Sequence, residues 1–268
     1  MSANIRAEFP GNMLADGKFY GTPLTLVQRA LRRNGHTDVK AKGFFGSNTR
    51  RAIQDIQRKT ELQPTGNIGV RVWAVLDRQF LNDDESRRIN DFVATKREEQ
   101  AKAAAAVRRK AAVEQIVRAA QVMIDNRDQI HYAGPGSAPR IIVKRMQGVR
   151  QGLHLPQFPK FEDCSSSVTW LYFQAGAPDP NGRRYDGQGF TGTLVRRGKS
   201  ISLSDAAPGD LVFYGDSSRR SHVVCVMAGS GAAARAFSHG SEESPSYVNI
   251  GYRPVAEVRR YPLTPARR

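Results

Sequence analysis

Three apolar runs separated by glycine-containing turns constrain this chain most. Leu211–Tyr214 follows the Pro208-Gly209 turn, SHVVCVMAG follows a polar loop over 215–221, and AAARAFSHGS follows the tight turn Gly229–Gly231. Runs rich in Val, Phe and Tyr and bounded by Gly, Pro and Ser read as strands. Connections this short join antiparallel neighbours, not parallel ones. Just upstream, FEDCSSSVTWLYFQAG (161–176) reads as a helix. Asp163 is a good N-cap, Val168, Leu171, Tyr172 and Ala175 recur at helical spacing, and Gly176 with Pro178 ends the pattern. One helix packed on an antiparallel meander is an α+β layout.

That helix would carry Cys164 in its first turn. Unpaired backbone N–H groups and the positive end of the helix dipole favour a thiolate there, so a pKa below the usual value of about 8.5 is expected. An attacking thiol also needs a base and a group that orients the base. His222 begins one strand and His239 ends the next. Neighbouring strands lie about 4.8 Å apart, so these ends meet if the register allows. The expected roles are Cys164 as nucleophile, His222 as base and His239 as orienter, with the helix N–H groups facing the oxyanion. Cys225 lies inside an apolar run and reads as a small buried strand residue.

Two cysteines in 268 residues do not make a disulfide scaffold. Cys164, His222 and His239 contain zinc-type donors, but no Cys-x-x-Cys or His-x-x-x-His spacing accompanies them, so no metal and no cofactor is expected. Of the remaining histidines, His36 falls in a surface turn, His154 is expected to rim the cleft, and His131 stands beside Tyr132 before Gly134-Pro135-Gly136.

The N-terminal part is helical. Thr22-Pro23 reads as N-cap plus N1 proline, with Leu24, Val27 and Leu31 inward and Gly35 closing. Ser47 is expected to cap a second helix bearing Ala52, Ile53 and Ile56, and Val72, Trp73 and Leu76 mark a third. Residues 84–110 are Ala-rich and charged, with Glu98 and Lys102 at i, i+4, and read as a helical spacer. Val113, Ile116, Val117, Ala120 and Ile124 begin the next domain. The expected division is 1–83, a three-helix domain; 84–110, a helical linker; and 111–268, the α+β domain.

The net charge is +16, and it is spread: +6 over 1–83 (13 basic, 7 acidic), +2 over 84–130 (10 and 8) and +8 over 131–268 (18 and 10). No arm collects it, and no exposed aromatics interleave a basic stripe, so nucleic acid is not the expected partner. No apolar run approaches the ~18 residues of a membrane span, so no stable membrane association is expected. The first residues, MSANIRAEFPGNMLADG, contain no apolar h-region. The expectation is a monomer made in the cytoplasm, needing another agent to reach any target outside it.

Two resemblances join these readings. Gln28, Leu31, Gly43, Phe45, Gly46, Thr49, Ala52, Gln57, Leu62, Gly66, Trp73 and Leu76 follow the pattern of the three-helix peptidoglycan-binding domain of wall hydrolases, with departures at Lys42 and Ile56. Asp163-Cys164-Ser165, Pro208–Tyr214, His222-Val223 and His239-Gly240-Ser241 resemble the NlpC-type, papain-like cell-wall cysteine peptidases. Ser166 stands where that family usually has Gly, and the two histidines are 17 apart instead of about a dozen. The combined pattern is most similar to endolysins of phages that infect actinobacteria. The resemblance implies a papain-like α+β fold and Cys-His-His catalysis. It implies substrate binding around Tyr132, Asp163 and Ser165, with peptidoglycan as partner and the D-glutamyl–diaminopimelate bond as target. Cleavage of the muramoyl–L-alanine bond by an amidase and a catalytically silent wall-binding protein are the alternatives. It also implies host lysis, with a holin as the expected route to the wall.

Overall fold

The computed structural model of the chain describes residues 5–15, 22–216, 220–240 and 244–264. The protein is α+β and divides into two compact units, Met1–Ala103 and Ala104–Arg268.

The first unit is built on α1 (Pro23–Arg33), α2 (Ser47–Lys59) and α3 (Val70–Gln79). Thr22 caps α1, its Oγ1 accepting the Thr25 N–H at 3.2 Å. The N-cap of α2 is Gly46, and Ser47 is the first helical residue, not the cap expected from its hydroxyl. Leu26, Val27, Leu31, Ile53, Ile56, Trp73 and Leu76 share one core. Two buried glutamines tie the turns to it. Gln28 donates to the Phe44 carbonyl (2.8 Å) and Thr49 Oγ1 (3.0 Å) and accepts from the Gly43 N–H (2.9 Å). Gln57 does the same for the second turn, accepting from Gly66 N–H (2.7 Å) and donating to the Asn67 carbonyl (3.1 Å). Buried amides must be satisfied, which explains why these turn residues accompany glutamine.

The stretch expected as a separate spacer belongs to one helix, α4 (Asp83–Asp125). Its ends carry core residues: Ile89 and Val93 lie in the first unit's core, and Ala112, Ile116, Ala119, Ala120 and Met123 in the second's.

The second unit continues with β1 (His131–Tyr132), α5 (Pro139–Ile142), α6 (Gln147–Arg150), β2 (Phe161–Glu162), α7 (Cys164–Gln174) and α8 (Thr191–Leu194). Then come β3 (Lys199–Ile201), β4 (Leu211–Gly215), β5 (Arg220–Ala228), β6 (Arg235–Ser238), β7 (Ser246–Asn249) and β8 (Val255–Arg260). Strands β1 and β2 form a short parallel pair. The others form a six-stranded antiparallel sheet in the order β3-β8-β4-β5-β6-β7.

Alternation along the strands gives the sheet two buried faces. Leu211, Phe213, Val223, Cys225, Met227 and Phe237 share a core with Val168, Leu171 and Tyr172 of α7. Val212, Tyr214, Val224, Val226, Ala236 and Val258 form a second core on the opposite face. Each large apolar side chain buried in this way contributes about 1.5–3 kcal/mol. The Asp in Pro208-Gly209-Asp210 is fully buried. Its carboxylate accepts from Arg260 Nε (2.9 Å) and Nη2 (2.8 Å), Arg109 Nη2 (3.3 Å) and the Ala207 N–H (2.9 Å).

Candidate active site

Helix α7 starts where its sequence predicts. Asp163 Oδ1 accepts the Ser166 N–H at 2.8 Å, and the Asp163 N–H donates back to Ser166 Oγ at 2.7 Å. This reciprocal cap gives the Ser at 166 a physical reason. Ser165 Oγ donates to the same carboxylate oxygen (2.9 Å) and accepts from Arg145 Nη1 (3.2 Å). Arg145 also stands 3.6 Å from Asp163 Oδ2 and donates to the Gly189 carbonyl at 2.7 Å. Asp163 and Ser165 are thus held rigidly beside Cys164.

Cys164 is 6% exposed and opens on a cavity of about 550 Å³. Tyr132, Asp163, Ser165, Thr191 and Ser221 are among its walls. Thr191 Oγ1 lies 3.8 Å from the sulfur, and the N–H groups of Val223 and Ser165 also bond to it. The expected low pKa is not found. Burial, followed by the neighbouring Asp163 carboxylate, pushes the thiol up to about 12, and the three hydrogen-bond donors only moderate that rise. Without a charged partner the buried sulfur stays a thiol. Cys225 is fully buried in β5 and its thiol is pushed up as well, by burial first.

The two histidines part company. His222 pairs with Tyr214 across β4 and β5, so both side chains lie on one face. Its ring stacks on Tyr214 (centroids 5.7 Å apart), and its Nε2 lies 3.0 Å from Ser238 Oγ. That is the face of Val212 and Val224, opposite Cys164. The structure therefore does not bring the His222 ring to the nucleophile, although Val223, the next residue, touches the sulfur. Strand alternation is the reason: a side chain one position from an inward residue points outward. His239 follows β6 and is fully buried. Its Nδ1 lies 3.2 Å from Ser167 Oγ, and its ring meets Tyr132 edge-on at 5.7 Å. Ser167 is three residues after Cys164, which places it beside Cys164 on the helix surface.

Other expectations fall differently. His154 does not rim this cavity; it stacks on Phe173 (4.6 Å) and lines a separate one with Arg118 and Gln174. His131 is exposed and tilts against Phe161. Among the described residues no three His, Cys, Asp or Glu side chains gather as a metal site, and no helix is long and apolar enough to cross a membrane. Ser241, in the third motif, lies outside the described residues. The sequence reading missed Thr191, Arg145 and the Arg196, Arg220 and Arg259 side of the cavity. Thr191 starts α8, Arg145 and Arg196 lie in turns, and Arg220 and Arg259 lie in β5 and β8, so no shared sequence signal links them until the chain folds.

Residues 20–76 match the family model of a peptidoglycan binding domain. No curated protein matches the chain. Several solved structures are similar to it. One is NlpC2 from Trichomonas vaginalis, at 19% identity over 55% of this chain and 47% of that one, with a TM-score of 0.35. Another is the NlpC/p60 domain of the peptidoglycan hydrolase SagA, at 21% identity over 45% of this chain and 96% of that one, with a TM-score of 0.31. A third, from Staphylococcus aureus subsp. aureus Mu50, is described as similar to lipoprotein and of the NLP/P60 family; it is 15% identical over 79% of this chain and 61% of that one, with a TM-score of 0.34. The chain thus spans under half the length of the first of these and under two thirds of the third. By sequence, then, residues 20–76 are similar to a peptidoglycan-binding domain.

Proposed function

We propose that the protein is a peptidoglycan hydrolase whose second unit cuts stem-peptide amide bonds through Cys164. One observation carries the reading. A cysteine at the start of a capped helix opens on a cavity, a buried histidine lies within bonding distance of Ser167 on the same helix, and residues 20–76 match a peptidoglycan-binding domain. In the proposed reaction a histidine takes the Cys164 proton and the sulfur attacks the amide carbonyl. The imidazolium then protonates the leaving amine, and water hydrolyses the thioester. The N–H groups at the start of α7 are the proposed oxyanion donors. Proton transfer to a histidine also supplies the charged partner that a thiol raised to about 12 requires.

The geometry favours His239 as that base, since its ring reaches α7 itself. A second reading keeps His222. The β4–β5 register shifts between Tyr214 and Gly215, immediately beside it, and such irregularities can re-aim a side chain. The proposed target is the D-glutamyl–diaminopimelate bond, with the muramoyl–L-alanine bond as the alternative, and the proposed setting is phage-encoded lysis of a bacterial host. Mass spectrometry of fragments released from purified sacculi tests the reading. The wild-type chain should release stem-peptide fragments with a new amino terminus at one amide, and Cys164→Ala should release none. Release by Cys164→Ala at the wild-type rate would remove the cysteine mechanism.

A further inference from the structure

Arg145 joins three stretches of chain around Cys164, and the proposed chemistry does not use it. Its Nη1 donates to Ser165 Oγ at 3.2 Å and stands 3.6 Å from Asp163 Oδ2, and its Nη2 donates to the Gly189 carbonyl at 2.7 Å. Asp163 and Ser165 flank Cys164 at the start of α7. Gly189 is two residues before Thr191, whose hydroxyl lies 3.8 Å from the Cys164 sulfur. One guanidinium thus ties the segment that carries Thr191 to the helix turn that carries Cys164. A planar fork of donors can span two acceptors in this way, whereas an ammonium is a single point of charge.

The segment behind Arg145 is built to aim it. Met146 adopts a left-handed backbone (φ 61°, ψ 20°), which a residue with a side chain seldom does. Strain of that kind persists where the surroundings impose it. The buried Glu162 carboxyl accepts the N–H groups of Met146 (3.3 Å) and Gly148 (3.0 Å). Gly148 lies against Trp170, where a Cβ would collide with the indole ring. Arg150 Nη2 donates to the carbonyls of Val143 (2.6 Å) and Arg145 (2.8 Å), so a second guanidinium braces the same turn.

We propose that Arg145 is a positioning residue: it locks the 189–191 segment onto the start of α7 and so holds the Thr191 hydroxyl at the sulfur when Cys164 loses its proton. A thiolate accepts a hydrogen bond more strongly than a thiol, so this contact favours the attacking form. The proposal rests on the reading of Cys164 as the nucleophile, but the contact it describes needs no particular substrate.

The test uses the full chain, iodoacetamide as a probe of the thiol, and a defined muropeptide as substrate. Alkylation is followed by mass spectrometry of the peptide that contains Cys164, which separates it from Cys225. Arg145→Gln and Thr191→Val should each slow Cys164 alkylation about tenfold, the scale of one hydrogen bond to a charged group. Each should lower kcat by a similar factor while leaving KM within about twofold. Arg145→Lys, which keeps the charge but not the fork, should restore neither rate. The double variant should react no more slowly than Thr191→Val alone, because Arg145 acts through Thr191. Thr191→Val leaves the contacts of Arg145 in place, so it reports on the sulfur contact even where Arg145→Gln lowers Tm. Full reactivity in Thr191→Val, recovery in Arg145→Lys or additive losses in the double variant would overturn the proposal. Alkylation that responds to the variants in a chain that cleaves no muropeptide would keep the proposal and overturn the hydrolase reading. Cleavage at the wild-type rate by both single variants would do the reverse, and a wild-type Cys164 that neither alkylates nor cleaves would overturn both.

Discussion

Nδ1 of His239 lies 3.2 Å from Oγ of Ser167, one helical turn past Cys164, while the ring of His222 stacks on Tyr214 across the sheet. If this is the reacting arrangement, His239→Ala should lower kcat/KM as far as Cys164→Ala does, since nucleophile and base act as one unit. His222→Ala should retain measurable turnover and show its main effect as a lower Tm, because it removes a buried ring and its bond to Ser238. The check is kcat/KM on a defined muropeptide together with Tm for each variant. An inactive His222→Ala of unchanged Tm beside an active His239→Ala would return the base to His222.

Glu162 is fully buried beside this site and accepts the N–H groups of Gly148 (3.0 Å) and Met146 (3.3 Å). Burial dominates those bonds and the Ser166 hydroxyl, and raises the carboxyl from 4.5 to about 7. A raised acid binds its proton more tightly in the folded state. Its contribution is therefore fully present below about pH 4.5 and is lost as the pH rises through 7. The loss is on the order of 3 kcal/mol. Urea unfolding at pH 4.5 and pH 8 should show it in the wild-type chain, and Glu162→Gln, which cannot ionise, should show a flatter profile. Identical pH profiles would remove Glu162 as the source.

Asp210 holds two arginines unequally. Arg260 is bidentate at 2.9 and 2.8 Å, whereas Arg109 makes a single 3.3 Å contact with the carboxylate. Arg260→Ala should cost about 3 kcal/mol, because it strands a buried charge. Arg109→Ala should cost about 1 kcal/mol, in the range of a single partly solvated pair. Thermal unfolding of both variants gives the order, and the reverse order would mean that Arg109 is the main counterion.

Residues 104–268 contain their own core and the whole candidate site. That fragment should still cleave soluble muropeptides while losing most of its co-sedimentation with sacculi. Pelleting as well as the full chain would show that residues 20–76 are not the anchor.

Much of this protein was legible in one dimension. Periodicity and capping residues located α1, α7 and the β4–β6 meander, because a cap and an apolar stripe are local properties of a few adjacent residues. The Gln28 and Gln57 turns and the buried Asp210 were visible as motifs, though the bonds that make them necessary were not. The tertiary structure decided three things. It made the expected spacer a part of α4, since burial of Ile89 and Ile116 depends on what packs against each end. It raised the Cys164 thiol, because helix position acts locally whereas burial depends on the sheet laid over the helix. It also separated His222 from His239, since strand register sets which side chain faces Cys164, and a period of two reverses that face with a single residue.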